Sequence, residues 1–155
     1  MKEEHFEQFR NLISGIHWNI EKLKSKWATP LGMKSVHIFW VYLLKNHPEG
    51  LTAAELSRLS QTNRSLVSRE IQILIKLGYV CTENDRKNNY GQKLKLTHTG
   101  IEAAQTIADA SLSIQNQVSA GIPEADLATL YRTLEILMVN FQKIAEQPLE
   151  EQSWP

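Results

Sequence analysis
Arginine, serine, glutamine and asparagine side chains on one side of a helix can grip the edges of base pairs, and the run from Asn63 to Leu77 supplies such a set. Val67, Ile71 and Leu74 recur at four and three residues, the spacing of a buried stripe. Asn63, Arg64, Ser65, Ser68, Arg69, Gln72 and Lys76 fall off that stripe. Arginine takes guanine edges or phosphates, glutamine and asparagine read adenine, and serine reaches either. Glu70 is the single acid expected on this outer side, where a merely solvated face would mix Glu with Lys. A second basic group follows. Lys93 and Lys95 alternate with Leu94 and Leu96, so a strand there packs one face and presents ammonium groups on the other. Arg86 and Lys87 lie in the nine residues, Asn84 to Gln92, between that strand and an earlier one at Tyr79 to Glu83. Hairpin loops commonly have about 2–5 residues, so a longer basic one points to a contact with phosphates or a minor groove.

Other chemistries are weaker. No glycine-rich phosphate loop, Gly-x-Ser-x-Gly or His-Glu-x-x-His run occurs, which argues against an enzyme, and no cofactor is implied. The five histidines are scattered, and His17 with His37 lacks the further ligands that zinc needs. The one cysteine, Cys81, has Val80 and Thr82 beside it and no adjacent cation, so it reads as structural. His17, Trp18, His37, Trp40 and Tyr42 could wall a site for a small amphipathic or aromatic effector, or simply fill the core.

Short elements must position these groups. Thr52 with Glu55 three places on forms a capping box, which starts a helix at Ala53 that carries Leu56 and Leu59 inward. Ser60 to Asn63 is turn-prone, with Thr62 or Asn63 able to cap a second helix that ends before Gly78. Two helices joined by a tight turn, then a two-stranded ribbon, make a winged helix-turn-helix with recognition helix 63–77 and wing 79–97.

The order Leu51-Thr52, Glu55-Leu56, Ser68-Arg69, Leu74, Gly78-Tyr79-Val80, a basic wing, then Leu96-Thr97 and Gly100 resembles the MarR family of winged-helix transcription regulators. The closing Leu-Thr-x-x-Gly is the most specific piece. The resemblance covers residues 51–100; the flanking helices match in layout alone. It implies a homodimer whose recognition helices enter major grooves while the wings reach minor grooves, often released by a ligand bound between dimer helices and winged unit. Thr82 stands where the family usually has arginine, and Asp85-Arg86-Lys87 sits three residues earlier than the family's wing motif, whose places fall on Asn88 to Tyr90. Ile75 and Leu77 are apolar where charge is usual.

The expected class is mainly α with a small β-ribbon, divided as 1–50 (supporting helices), 51–100 (the winged unit) and 101–155 (closing helices). Phe6, Phe9, Ile13, Ile16, Ile20, Leu23 and Trp27 recur at three and four on a first helix. A second helix near 34–46 is apolar almost all round. After the wing, Thr99 with Glu102 suggests another capping box, and Ala104, Ile107, Ser111, Ile114 and Val118 continue a stripe. Leu127, Leu130, Leu134, Leu137, Phe141 and Ile144 form the last. These stripes exceed what one winged unit can cover, which points to a homodimer and hence a near-palindromic duplex.

The net charge is zero, but residues 51–100 carry eight Lys and Arg against four acids, and residues 101–155 two against eight. Attraction to phosphate follows the local excess, because salt screens charges beyond ~8 Å. No run of 18 apolar residues and no signal-like start occurs, so the expected location is the cytoplasm with no membrane contact. The rival reading is a winged-helix module that docks proteins and leaves DNA alone, for which Ile75 and Leu77 speak.

Overall fold
A computed structural model describes residues 3–82 and 91–148. Among the described residues six helices and three short strands follow in order: α1 (Glu3–Ala28), α2 (Ser35–Lys45), β1 (Leu51–Thr52), α3 (Ala53–Ser60), α4 (Arg64–Lys76), β2 (Val80–Thr82), β3 (Lys93–Leu96), α5 (His98–Val118) and α6 (Glu124–Ala145). A 3-10 turn, Thr29–Leu31, joins α1 to α2, with Pro30 in its first turn and Gly32 left-handed at φ +64° as its cap. The chain forms two compact units, residues 1–111 and 112–155, and the boundary falls within α5.

The core of the first unit gathers inward residues from nearly every element: Ala28 of α1, Trp40, Val41 and Leu44 of α2, Leu56 of α3, Val67, Ile71 and Leu74 of α4, Leu94 of β3, and Ala104 and Ile107 of α5. Only the last turn of α1 joins it. Phe6, Ile13, Ile16 and Ile20 stay exposed, Ile16 at 57%, so most of that stripe remains in water. On α2, Phe39 and Tyr42 are exposed, which limits burial to one broad side of a helix that reads as apolar throughout.

The sheet is three-stranded, in the order β1-β3-β2, and therefore wider than the expected ribbon. Leu51 pairs with Leu94 and Val80 with Leu96, which turns apolar side chains to one face. Thr52 pairs with Lys93, and Cys81 with Lys95, on the other. Cys81 is exposed there, so it is no packed structural cysteine, and β3 sets a lysine directly across from it.

Helix α5 begins at His98, earlier than a cap at Thr99 allows. The cap is Thr97, whose Oγ1 accepts from the Gly100 amide at 3.0 Å. Gly100 is required at that place because a Cβ would lie 2.0 Å from the Tyr79 carbonyl oxygen. In the second unit, α6 buries no residue, and Leu130, Tyr131, Ile136 and Phe141 are exposed.

Candidate nucleic-acid interface
The presenting turn is built from local hydrogen bonds. Thr52 Oγ1 accepts from the Glu55 amide at 3.2 Å, and Glu55 Oε2 accepts from the Thr52 amide at 2.8 Å, so the box closes both ways. The Thr52 amide, first, and the Thr52 hydroxyl, which donates to the same Oε2 at 2.9 Å, hold the Glu55 carboxyl below its usual range. Leu59 is exposed rather than inward, while Leu56 is fully buried. Helix α3 ends at Gln61, left-handed at φ +51°, and Ser57 Oγ donates to the Thr62 carbonyl at 2.6 Å across the turn. Asn63 Oδ1 then accepts from the Ser65 amide at 2.8 Å and caps α4.

At its other end α4 closes on Gly78, at φ +80°, with the Tyr79 amide bonded to the Leu74 carbonyl and the Gly78 amide to that of Ile75. This pair of bonds is the Schellman arrangement, and it fixes where the wing begins. Asn63, Arg64, Ser65, Ser68 and Arg69 are exposed along α4, and Gln72 is half-buried beside them. The structure therefore brings the base-reading candidates onto one exposed helix. Arg64, Ser68 and Gln72 also line a cavity of about 350 Å³ whose far wall includes Thr82 and Gln92 of the ribbon.

Lys93 and Lys95 are half-buried on β3. A Cβ at Gly50, where φ is +84°, would stand 2.9 Å from Lys95 Cγ and 3.1 Å from Lys93 Cβ. The missing side chain there lets both lysine stems lie across the backbone. Arg86 and Lys87, with the rest of residues 83–90, fall outside the described residues.

One expectation is reversed. Glu70 points inward, 2% exposed, between Val67 and Leu74. Lys34 Nζ lies 2.9 Å from its Oε1 and 2.8 Å from its Oε2, and Arg69 Nε lies 3.2 Å from Oε1. His37, fully buried at the start of α2, places Nε2 at 3.2 Å from Oε2. The Lys34 amide donates to His37 Nδ1 at 3.2 Å, so that nitrogen is the acceptor and the ring proton sits on Nε2. His37 is thus neutral and donates to Glu70. The Lys34 ammonium, foremost, holds the Glu70 carboxyl below its usual range despite burial. Burial likewise pushes the His37 imidazole down, against the pull of Glu70. Sequence reasoning missed Lys34, although its partner Glu70 lies on α4's own stripe.

The side chains read as effector walls do not form one cluster. His37 and Trp40 meet in the core with ring centroids 5.8 Å apart, and Trp40 Nε1 is buried with no acceptor among the described residues. His17 and Trp18 are exposed on α1, where Lys22 Nζ stands 5.8 Å from the Trp18 ring, and Tyr42 is exposed on α2. Among the described residues, no group of three or more His, Cys, Asp or Glu could hold a metal ion. No described helix is long and apolar enough to cross a membrane.

No family model matches the chain, and no curated protein does. Solved structures do. A MarR transcriptional regulator from Methanosarcina mazei Go1 superposes with a TM-score of 0.75 at 21% identity, over 89% of this chain and 99% of that one. A MarR protein from Peptoclostridium difficile DA00132 gives 0.78 at 17% identity, over 87% and 88%. The apo form of wild-type MarR from E. coli gives 0.63 at 16% identity, over 82% and 94%. At such identities the likeness is one of fold, and the fold is the winged helix of MarR regulators.

Proposed function
We propose that the chain is a homodimeric regulator of transcription that binds a near-palindromic DNA duplex in the cytoplasm. The observation that carries this is the exposed row Asn63, Arg64, Ser65, Ser68 and Arg69, held on a helix capped at both ends beside a ribbon with two lysines. In this reading α4 enters the major groove and supplies direct readout, with Gln72. Lys93 and Lys95, together with Arg86 and Lys87, hold phosphates or the minor groove.

Dimerisation through the flanking segments 1–50 and 101–155 is supported by the apolar side chains that α1 and α6 leave in water, since monomers rarely expose such patches. The two copies would then offer reading helices to major grooves ~34 Å apart. Blocking a promoter, with release by a small amphipathic effector, completes the reading. The exposed His17, Trp18 and Tyr42 and the unpaired indole N–H of Trp40 are the groups that could meet such a ligand, with His37 fixing the Trp40 ring.

The protein-docking alternative loses part of its support, because Ile75 packs against the core and Leu77 alone stays exposed. Selection of bound duplexes from a random pool, followed by a salt series, separates the two. A duplex regulator yields an enriched symmetric sequence whose affinity falls steeply with salt. No enrichment, with flat and weak binding, leaves the docking module.

A further inference from the structure
A carboxylate is almost never fully buried unless it is paired, so a buried glutamate in the recognition helix calls for a reason. The inward residues of α4 are Val67, Glu70, Ile71 and Leu74, a regular apolar stripe with one charge set into it. An apolar residue of similar volume would fill that place without the cost of removing a charge from water. What the carboxylate adds is a set of directional bonds. Oε1 accepts from Lys34 and Arg69, and Oε2 from His37.

The bond to Arg69 is unusual in its geometry. Neighbouring residues on a helix point about 100° apart and do not normally face each other. Arg69 nonetheless reaches the Glu70 carboxylate through Nε, at 3.2 Å. That side chain remains 71% exposed, and its two terminal amino groups make no other bond among the described residues. Those two groups are the fork that grips guanine or phosphate. Lys34 and His37 in turn tie the same carboxylate to the start of α2, so the arginine is braced against a second helix and not against its own alone.

We propose that Glu70 is the positioning residue of the reading face: its buried carboxylate, held in place by Lys34 and His37, orients the Arg69 fork, so that discrimination between duplexes depends on it. This rests on the duplex-binding reading given above. A braced side chain gives up less freedom on binding, and it offers its two donors in one direction. Replacing the carboxylate by an amide leaves one acceptor oxygen for three donors, which loosens the fork, and it removes a negative charge from beneath the reading face, which raises the net charge there by one. Specific and bulk binding then move in opposite directions, whereas a residue that only supports the fold would lower both together.

The test uses the full chain, a duplex selected from a random pool and a scrambled duplex of the same length and composition. For Glu70→Gln the expected result is an affinity for the selected duplex lower by about 10-fold, with the scrambled duplex bound about 2-fold more tightly. Adding Glu70→Gln to Arg69→Ala should cause no further loss of selected-duplex affinity, because the two act through one contact. Parallel losses on both duplexes, or additive losses in the double variant, overturn the proposal. A wild-type chain that does not prefer the selected duplex sinks the duplex reading itself. Should Glu70→Gln fail to fold, Lys34→Gln decides: Lys34 is 59% exposed, so no packing is lost, and glutamine keeps an N–H donor for the buried carboxylate. Discrimination should then fall by about 3-fold, and an unchanged ratio overturns the proposal.

Discussion

The Thr97 hydroxyl donates to the Gly78 carbonyl at 2.5 Å, and this bond ties the glycine just past the end of α4 to the residue that caps α5. The same oxygen accepts from the Gly100 amide, so one side chain serves a helix cap and a cross-link at once. The wing is therefore anchored at its base. Thr97→Val keeps the shape and removes both bonds, and should cost about 1–2 kcal/mol. Urea unfolding of the variant measures it, and stability equal to wild type would mean the bonds are idle.

Gly100→Ala should be worse. Its Cβ would overlap the Tyr79 carbonyl, which belongs to backbone that cannot swing aside. A loss of about 2–3 kcal/mol is expected in the same unfolding titration. Gly15 serves as the control, since a Cβ there meets nothing, and Gly15→Ala should gain up to ~1 kcal/mol from helix propensity.

Arg69→Ala should weaken binding to a selected duplex by ~1–3 kcal/mol and relax preference at one base pair in each half-site. Repeating the selection with the variant reads both effects. Full retention of preference would remove Arg69 from the reading set.

Lys93→Ala should weaken all duplexes alike and lower the salt slope by about 1 for each reading head. A slope that stays constant in a titration from low to moderate salt would place Lys93 away from phosphate.

Acid should weaken the fold through the buried pair. His37 has a lowered pKa in the folded state, so its contribution is complete above the ordinary value of 6.5 and is lost as pH falls through the lower folded value. Glu70 is lowered as well, so its contribution is complete above 4.5 and fades further down. Both therefore act in the same direction. Unfolding free energies at pH 8, 6 and 5 should decline, and His37→Gln should remove the part of the decline nearest neutrality. A flat profile from pH 8 to 5 would contradict the neutral, buried assignment of His37.

What could be read from the residues was whatever short-range spacing controls. The Thr52–Glu55 box, the Asn63 cap and the Gly78 stop are local bonds, and each is found where the sequence puts it. Strand β1 was not legible, because two residues are too few for alternation to show. Glu70 was misplaced although it stands three residues after Val67 and four before Leu74, both stripe positions, because charge argued for water. The partners that reverse that argument, Lys34 and His37, are 36 and 33 residues away, beyond any local pattern. Cys81 was a misreading of the same kind: with Val80 turned inward, alternation alone sends Cys81 outward.

In the proposed complex two copies of α4 read one symmetric site together. A competition titration compares the selected symmetric duplex with a duplex of equal length that carries a single half-site, and the mass of each complex is recorded. Two chains should occupy the symmetric duplex, with an affinity for it at least ~100-fold above the single half-site. One chain per duplex, or equal affinity for both, would contradict it.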